Sequence, residues 1–136
     1  MLSGETKVRV RYGETDKMGY CYYGNYAEFY EVARGELLRG LGLTYREMEE
    51  MGIIMPVVTM HIDYRKPAHY DDLLTVKVFI KEKPSVKIRF DYEVYNEAGE
   101  LLNSAYTVLC FVNQATGRPG LPPKPFQELM GKYFDK

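Results

Sequence analysis

Asn25-Tyr26-Ala27-Glu28-Phe29-Tyr30-Glu31-Val32-Ala33-Arg34-Gly35-Glu36-Leu37-Leu38-Arg39-Gly40-Leu41-Gly42 is the stretch on which the fold turns. Its apolar positions, Tyr26, Phe29, Tyr30, Ala33, Leu37, Leu38 and Leu41, recur at the offsets of one helix face. Glu28, Glu31, Arg34 and Arg39 fall largely on the other face. Asn25 suits an N-cap, and Glu28 three residues on completes the pattern of a capping box. Gly42 is placed as the C′ residue. At about 1.5 Å per residue the helix spans roughly 25 Å, enough to cross a sheet. A helix with one apolar stripe must lay that stripe on something.

The flanking sequence supplies the sheet. Before the helix, Lys7, Arg9 and Arg11 alternate with Val8, Val10 and Tyr12, the pattern of a half-buried strand. Gly13 to Gly24 is then a glycine- and tyrosine-rich loop. After the helix, Thr44-Tyr45-Arg46-Glu47 is a second capping box, opening a short helix that Gly52 can end. From there the period becomes two. Val58, Met60, Ile62 and Tyr64 share one strand face, which Pro67 closes. Leu74, Val76, Val78 and Ile80 share the next, and Val86, Ile88, Phe90, Tyr92 and Val94 the third. Asn96-Glu97-Ala98-Gly99 is a turn, and Leu101 to Asn113 a long fourth strand. Lys77, Lys81, Lys87, Arg89, Asp91 and Glu93 occupy the opposite faces, as in an antiparallel sheet with one wet side. Phe126 to Phe134 is read as a last short helix.

The expected architecture is a two-layer α+β fold: one long helix on a five-stranded antiparallel sheet, in the order strand, helix, four strands. No repeat or linker divides the chain, so residues 1–136 are read as one domain. A short-looped sheet of this kind leaves edges exposed, and exposed edges invite pairing with a second copy.

Composition narrows the function classes. The 136 residues carry a formal net charge of −1, so no basic footprint for nucleic acid exists over the whole chain. Two cysteines, Cys21 and Cys110, are too few for a disulfide scaffold and fit a reducing compartment. The N-terminus lacks the apolar core of a signal peptide, and no apolar run of membrane-spanning length occurs, so a cytoplasmic protein is expected. Tyrosine is the outlier, with 13 in the chain and Tyr20, Tyr22, Tyr23 and Tyr26 close together. Apolar area with one polar handle suits a ligand cleft or an interface.

Most catalytic kits are missing. Ser3, Ser85 and Ser104 stand in no G-x-S-x-G elbow, and no glycine-rich phosphate loop occurs. His61 and His69 belong to no metal-binding pattern, so no metal is expected. Asp16 remains, in the loop before the helix. An aspartate there commonly bonds nearby backbone in a turn. A carboxylate aimed at the free N–H groups of a helix start can also attack a carbonyl or orient a water while those donors take the oxyanion.

Asp16-x-x-Gly19-x-x-Tyr22-Tyr23-x-Asn25-Tyr26, followed by Glu31-Val32-Ala33-Arg34, resembles the signature of the 4-hydroxybenzoyl-CoA thioesterase family of hotdog proteins. Pro67-Ala68-His69-Tyr70-Asp71-Asp72-Leu73 resembles that family's second landmark, and the likeness covers roughly residues 6 to 115. The resemblance implies a hotdog fold, with the sheet curled round the long helix. It implies homodimers paired edge to edge with the sites at their interface, and tetramers are common in the family. It implies acyl-CoA hydrolysis with no separate cofactor, coenzyme A being part of the substrate. By the same likeness Asp16 is nucleophile or general base, and the Tyr23 N–H, with Gly24 beside it, receives the oxyanion. Tyr22 and Tyr26, with Phe29 and Tyr30, are expected to wall the acyl pocket. Many relatives carry His where this chain has Tyr23, a swap that a backbone donor survives. Lys83 and Lys87, with Lys81, form a thinner basic cluster than the family's CoA-phosphate run, and a solvated strand face is the alternative. Three rival functions remain open: a hotdog protein that binds acyl-CoA without hydrolysing it, a hydratase or dehydratase using His61 or His69, and a purely structural interaction partner, which would leave the loop motif around Asp16 idle.

Overall fold

The computed structural model describes residues 1–135. Five long strands form the body of the sheet: β1 (Leu2–Arg9), β3 (Val57–Tyr64), β4 (Leu73–Ile80), β5 (Lys87–Tyr95) and β6 (Leu101–Asn113). Two short strands, β2 (Ile53–Ile54) and β7 (Pro119–Gly120), pair with the end of β6. The helices are α1 (Tyr26–Leu41), α2 (Tyr45–Glu50) and α3 (Lys124–Phe134). All strand pairs are antiparallel, in the order β1-β4-β5-β6, with β3 on the far side of β6. This is the expected hotdog arrangement, a long helix on one face of a curled antiparallel sheet.

The period-two reading holds closely. Leu74, Val76, Val78 and Ile80 on β4, and Ile88, Phe90, Tyr92 and Val94 on β5, are buried. Tyr26, Phe29, Tyr30, Ala33, Leu37 and Leu38 face them. Gly42 takes φ 95° and ends α1, with Leu43 N–H returning to the Leu38 carbonyl. The α2 capping box forms, Glu47 N–H donating to Thr44 Oγ1 at 3.1 Å. At Gly4 a Cβ would meet Leu37 Cδ1 at 3.2 Å, so glycine there lets α1 approach β1 closely.

Four local expectations are corrected. Strand β1 begins at Leu2 and stops at Arg9, because its whole length pairs with β4 from Leu2↔Ile80 to Arg9↔Leu73. Tyr12 lies instead in a 3₁₀ turn, Tyr12–Glu14, and is 77% exposed. Val86 lies just before β5 and is exposed. Arg34 is buried at 8% exposure rather than set on the wet face, because it follows Tyr30 by one turn and shares its stripe. It donates to the Tyr92 hydroxyl at 3.4 Å, which in turn bonds Thr107 Oγ1 at 2.6 Å.

Helix α1 packs on β1 and β4. Strand β3, at the sheet's edge, is left uncovered, and Val58, Met60 and Tyr64 of its apolar face are exposed. No helix among the described residues is long and apolar enough to cross a membrane.

Candidate active site

The loop between β1 and α1 is built by a few bonds that leave a few others unmade. A second 3₁₀ turn, Tyr23–Asn25, runs directly into α1. The helix start therefore moves back to Tyr22, whose backbone is extended (φ −60°, ψ 130°). Asn25 is already helical at φ −74°, ψ −19°, and its side chain caps nothing. The expected capping box with Glu28 does not form. Instead Asn25 Nδ2 donates to the Glu14 carbonyl at 2.7 Å, and Tyr22 N–H donates to the same oxygen at 2.7 Å. The Glu14 carboxylate is buried at 7% exposure and accepts from Arg11 N–H (2.7 Å) and Arg11 Nη2 (3.1 Å).

Asp16 lies two residues beyond that node. Its N–H donates to the Tyr20 carbonyl at 2.9 Å, closing the loop on itself. Its Oδ1 accepts from Met18 N–H at 2.9 Å, the turn-aspartate bond anticipated from its position. Oδ2 takes no hydrogen bond among the described residues. Cys21 N–H donates to the Ala68 carbonyl at 2.8 Å, and Tyr20 pairs with His69, so the loop is zipped to the segment after β3. His69 in turn is bound by Asp72, its N–H donating to Asp72 Oδ2 at 2.8 Å.

The zipping opens a cleft of about 230 Å³ between the loop, the start of α1 and the end of β3. Asp16, Tyr23 and Tyr26 line it together. Tyr64, Arg65, Lys66 and Pro67 supply the opposite wall, with Cys21 beside them. Asp16 is the one carboxylate among its lining residues. The aromatic wall is continuous: the Tyr23 and Tyr64 ring centroids are 6.3 Å apart, and those of Tyr26 and Tyr64 are 5.9 Å apart. Neither Tyr23 nor Gly24 donates its backbone N–H among the described residues, as expected of the first residues of a helical turn.

Tyr22 and Gly24 stand beside the cleft rather than on its wall. The Tyr22 ring lies against the Gly24 backbone, where an added Cβ would come within 2.7 Å of Cε2. Phe29 and Tyr30 are buried core residues beneath the cleft.

Lys83 and Lys87 are elsewhere. The cleft adjoins β6 near Asn103, opposite Tyr64, whereas Lys87 pairs with Cys110. From Asn103 to Cys110 a strand rises roughly 24 Å. Lys83 is ion-paired with Asp135 at the end of α3. In the same chain the cations at the cleft are Arg65 and Lys66. Lys66 pairs with Glu100, and Arg65 has no ion-pair partner among the described residues. His61 lies on the outer sheet face, bonded to Asp63 at 3.1 Å and stacked on Tyr106.

Burial shapes the chemistry. The Cys21 thiol is pushed from 9.0 up to about 11, chiefly by desolvation and then by Glu14, so it is protonated at neutral pH and a poor nucleophile. The Tyr26 and Tyr64 hydroxyls are also raised, first by burial, and stay neutral donors. Asp16 is left as the group able to attack or to take a proton. Tyr64, Arg65 and Lys66 were not singled out from the sequence. Their only signal was proximity to the Pro67-Ala68-His69 landmark.

A family model described as the thioesterase superfamily matches residues 18–103, beginning just after Asp16. A candidate acyl-CoA thioesterase of Bacillus subtilis, YneP, is 38% identical over 119 residues, covering 88% of this chain and 86% of that protein. The acyl-CoA thioester hydrolase YbgC of Shigella flexneri is 31% identical over 117 residues, covering 86% of this chain and 87% of its own. Among solved structures, a DHNA-CoA thioesterase from Staphylococcus aureus superposes with a TM-score of 0.86 at 35% identity, covering 99% of this chain and 85% of that one.

Proposed function

The chain belongs to the thioesterase superfamily, and on that footing we propose that it hydrolyses acyl-CoA thioesters to the free acid and coenzyme A. The observation that carries this is the meeting of Asp16, the one carboxylate on an aromatic cleft, with a helical turn whose first N–H groups are free.

The acyl group enters between Tyr23, Tyr26 and Tyr64, with the thioester carbonyl oxygen towards the N–H of Tyr23 or Gly24. Asp16 either takes a proton from a water that attacks the carbonyl carbon or attacks it directly to give an anhydride that water then opens. In both routes the carbonyl oxygen becomes an oxyanion. A preorganised donor for it is worth about 2.7–4 kcal/mol of barrier. The C–S bond then breaks, and the sulfur leaves as a thiolate, so no strong general acid is required. Tyr23 contributes its backbone, which explains why a tyrosine can stand where many relatives have histidine.

The phosphates of coenzyme A meet Arg65 first within one chain. Lys83 and Lys87 reach them only from a second copy, and a second copy is part of the proposal. Strand β3 supports it, since among the described residues its outer edge is unpaired and Val58, Met60 and Tyr64 of its apolar face are exposed. The working unit is then a homodimer or a homotetramer of the kind common in the family.

Thiol release from a panel of acyl-CoAs, from acetyl to palmitoyl with benzoyl and 4-hydroxybenzoyl, tests the function. Turnover of any member supports hydrolysis. Tight binding with no release across the panel transfers the assignment to a non-hydrolytic acyl-CoA-binding protein.

A further inference from the structure

We propose that Asn25 is a positioning residue for the hydrolytic step, a role that rests on the thioesterase assignment and goes beyond it. Asn25 closes the 3₁₀ turn that leads into α1, and its side chain, which caps nothing, reaches back to the Glu14 carbonyl. That oxygen also accepts the Tyr22 N–H, at the same 2.7 Å. One carbonyl is therefore held from two sides by consecutive parts of the helix start. Two residues along the chain from it stands Asp16. Directly after Tyr22 come the free N–H groups of Tyr23 and Gly24. The Glu14 carbonyl thus ties the carboxylate's segment directly to the helix start that carries the oxyanion donors, with only a few backbone bonds of slack on either side.

The node itself is fixed. The Glu14 carboxylate is buried and accepts from both the backbone and the guanidinium of Arg11, and the Glu14 N–H donates to the Arg11 carbonyl at 3.0 Å, so the residue that carries the carbonyl is held at its side chain and its backbone. Loss of the Asn25 bond leaves the Tyr22 N–H alone on the Glu14 carbonyl, and the links that remain across the loop, the Thr15–Cys21 bridge and the bond from Asp16 N–H to the Tyr20 carbonyl, do not reach the helix start. Attack geometry tolerates little drift: a displacement of about 1 Å commonly costs on the order of 10²-fold in rate. The walls of the cleft do not share this dependence. Tyr26 is anchored in the core, and Tyr64 is held by the pairing of β3 with β6. Substrate affinity therefore survives a change that disturbs the rate.

The test uses the full chain and the best acyl-CoA of the panel. Asn25→Asp keeps the size and removes the donor. Asn25→Gln keeps a side-chain amide. The expected result for Asn25→Asp is a kcat lower by about 10- to 100-fold with KM within twofold, and a kcat for Asn25→Gln closer to the wild type. Combined with Asp16→Asn, Asn25→Asp should add little further loss, because both act on one step. A kcat for Asn25→Asp within twofold of the wild type overturns the role. So does a full multiplicative loss in the double variant, which marks a merely structural effect. Should the wild type release no thiol from any substrate, the thioesterase assignment fails first and takes this role with it.

Discussion

At one end of the sheet, β1 leaves into an irregular loop and β3 hands over to β4. There, among the described residues, the N–H groups of Tyr23 and Gly24 are open, the Asp16 carboxylate has one unbonded oxygen, and Arg65 has no ion pair. At the other end, the Lys83-Pro84-Ser85 turn meets α3 over a hollow of about 280 Å³ lined by Phe126 and Met130. There Lys83 is paired with Asp135, Gln127 Nε2 donates to the Pro122 carbonyl at 2.7 Å, and Phe126 is fully buried against Phe111. Both ends have room for a small group, but only the first sets a carboxylate oxygen with no hydrogen bond among the described residues on the wall of the hollow. Hydrogen bonds withheld from the fold are what a bound thioester can use, and the closed end serves stability.

The largest expected effect lies at the closed end. Phe126→Ala is expected to cost about 3–5 kcal/mol, read as a lower denaturation midpoint. The turnover of the molecules that remain folded should stay within twofold of the wild type. A loss of turnover beyond the loss of fold would mean the two ends are coupled.

At the open end, Gly24→Ala forces the exposed Tyr22 ring off the turn or shifts the turn itself. About a tenfold fall in kcat is expected, at the scale of a small misplacement of the donors, with little change in melting temperature. Unchanged kinetics would remove Gly24 from the site.

Arg65→Gln should raise KM for acyl-CoA about two- to fivefold with kcat unchanged, and the effect should shrink as salt is added. Lys83→Gln run beside it sharpens the contrast. An equal rise in KM there would mean that the far end of a second copy reaches the cleft.

The smallest effect is one of pH. Burial raises the Cys21 thiol from 9.0 to about 11, so in that interval the unfolded chain loses the proton before the folded chain does. Stability is complete below pH 9 and falls as pH rises towards 11. Denaturation midpoints at pH 8 and 10.5 should differ more for the wild type than for Cys21→Ala. Equal differences would place the thiol in water.

Periodicity made the fold legible. The stripe of α1 and the alternation of β4 and β5 report which face is buried, and burial is what those residues were selected by in the structure. Arg34 escaped because a charge was read as a surface residue, although its place one turn after Tyr30 puts it inside. Asn25 escaped because capping is a local rule, and the bond to Glu14 that displaced it is made across the loop. In the site, Asp16, Tyr23 and Tyr26 were legible together because one contiguous segment carries them. Tyr64 and Arg65 arrive through strand pairing, which no local pattern records. Lys83 and Lys87 enter by likeness to the family's basic run, and within one chain the length of the sheet separates them from the cleft.

Turnover is proposed to run through Asp16 at the open end. The most direct test is kcat of Asp16→Asn on the best acyl-CoA substrate, beside a melting curve. Asparagine keeps an oxygen to accept the Met18 N–H, so the fold should be unchanged, while kcat should fall by at least about 10²-fold. A well-folded Asp16→Asn protein turning over within threefold of the wild type would contradict the account.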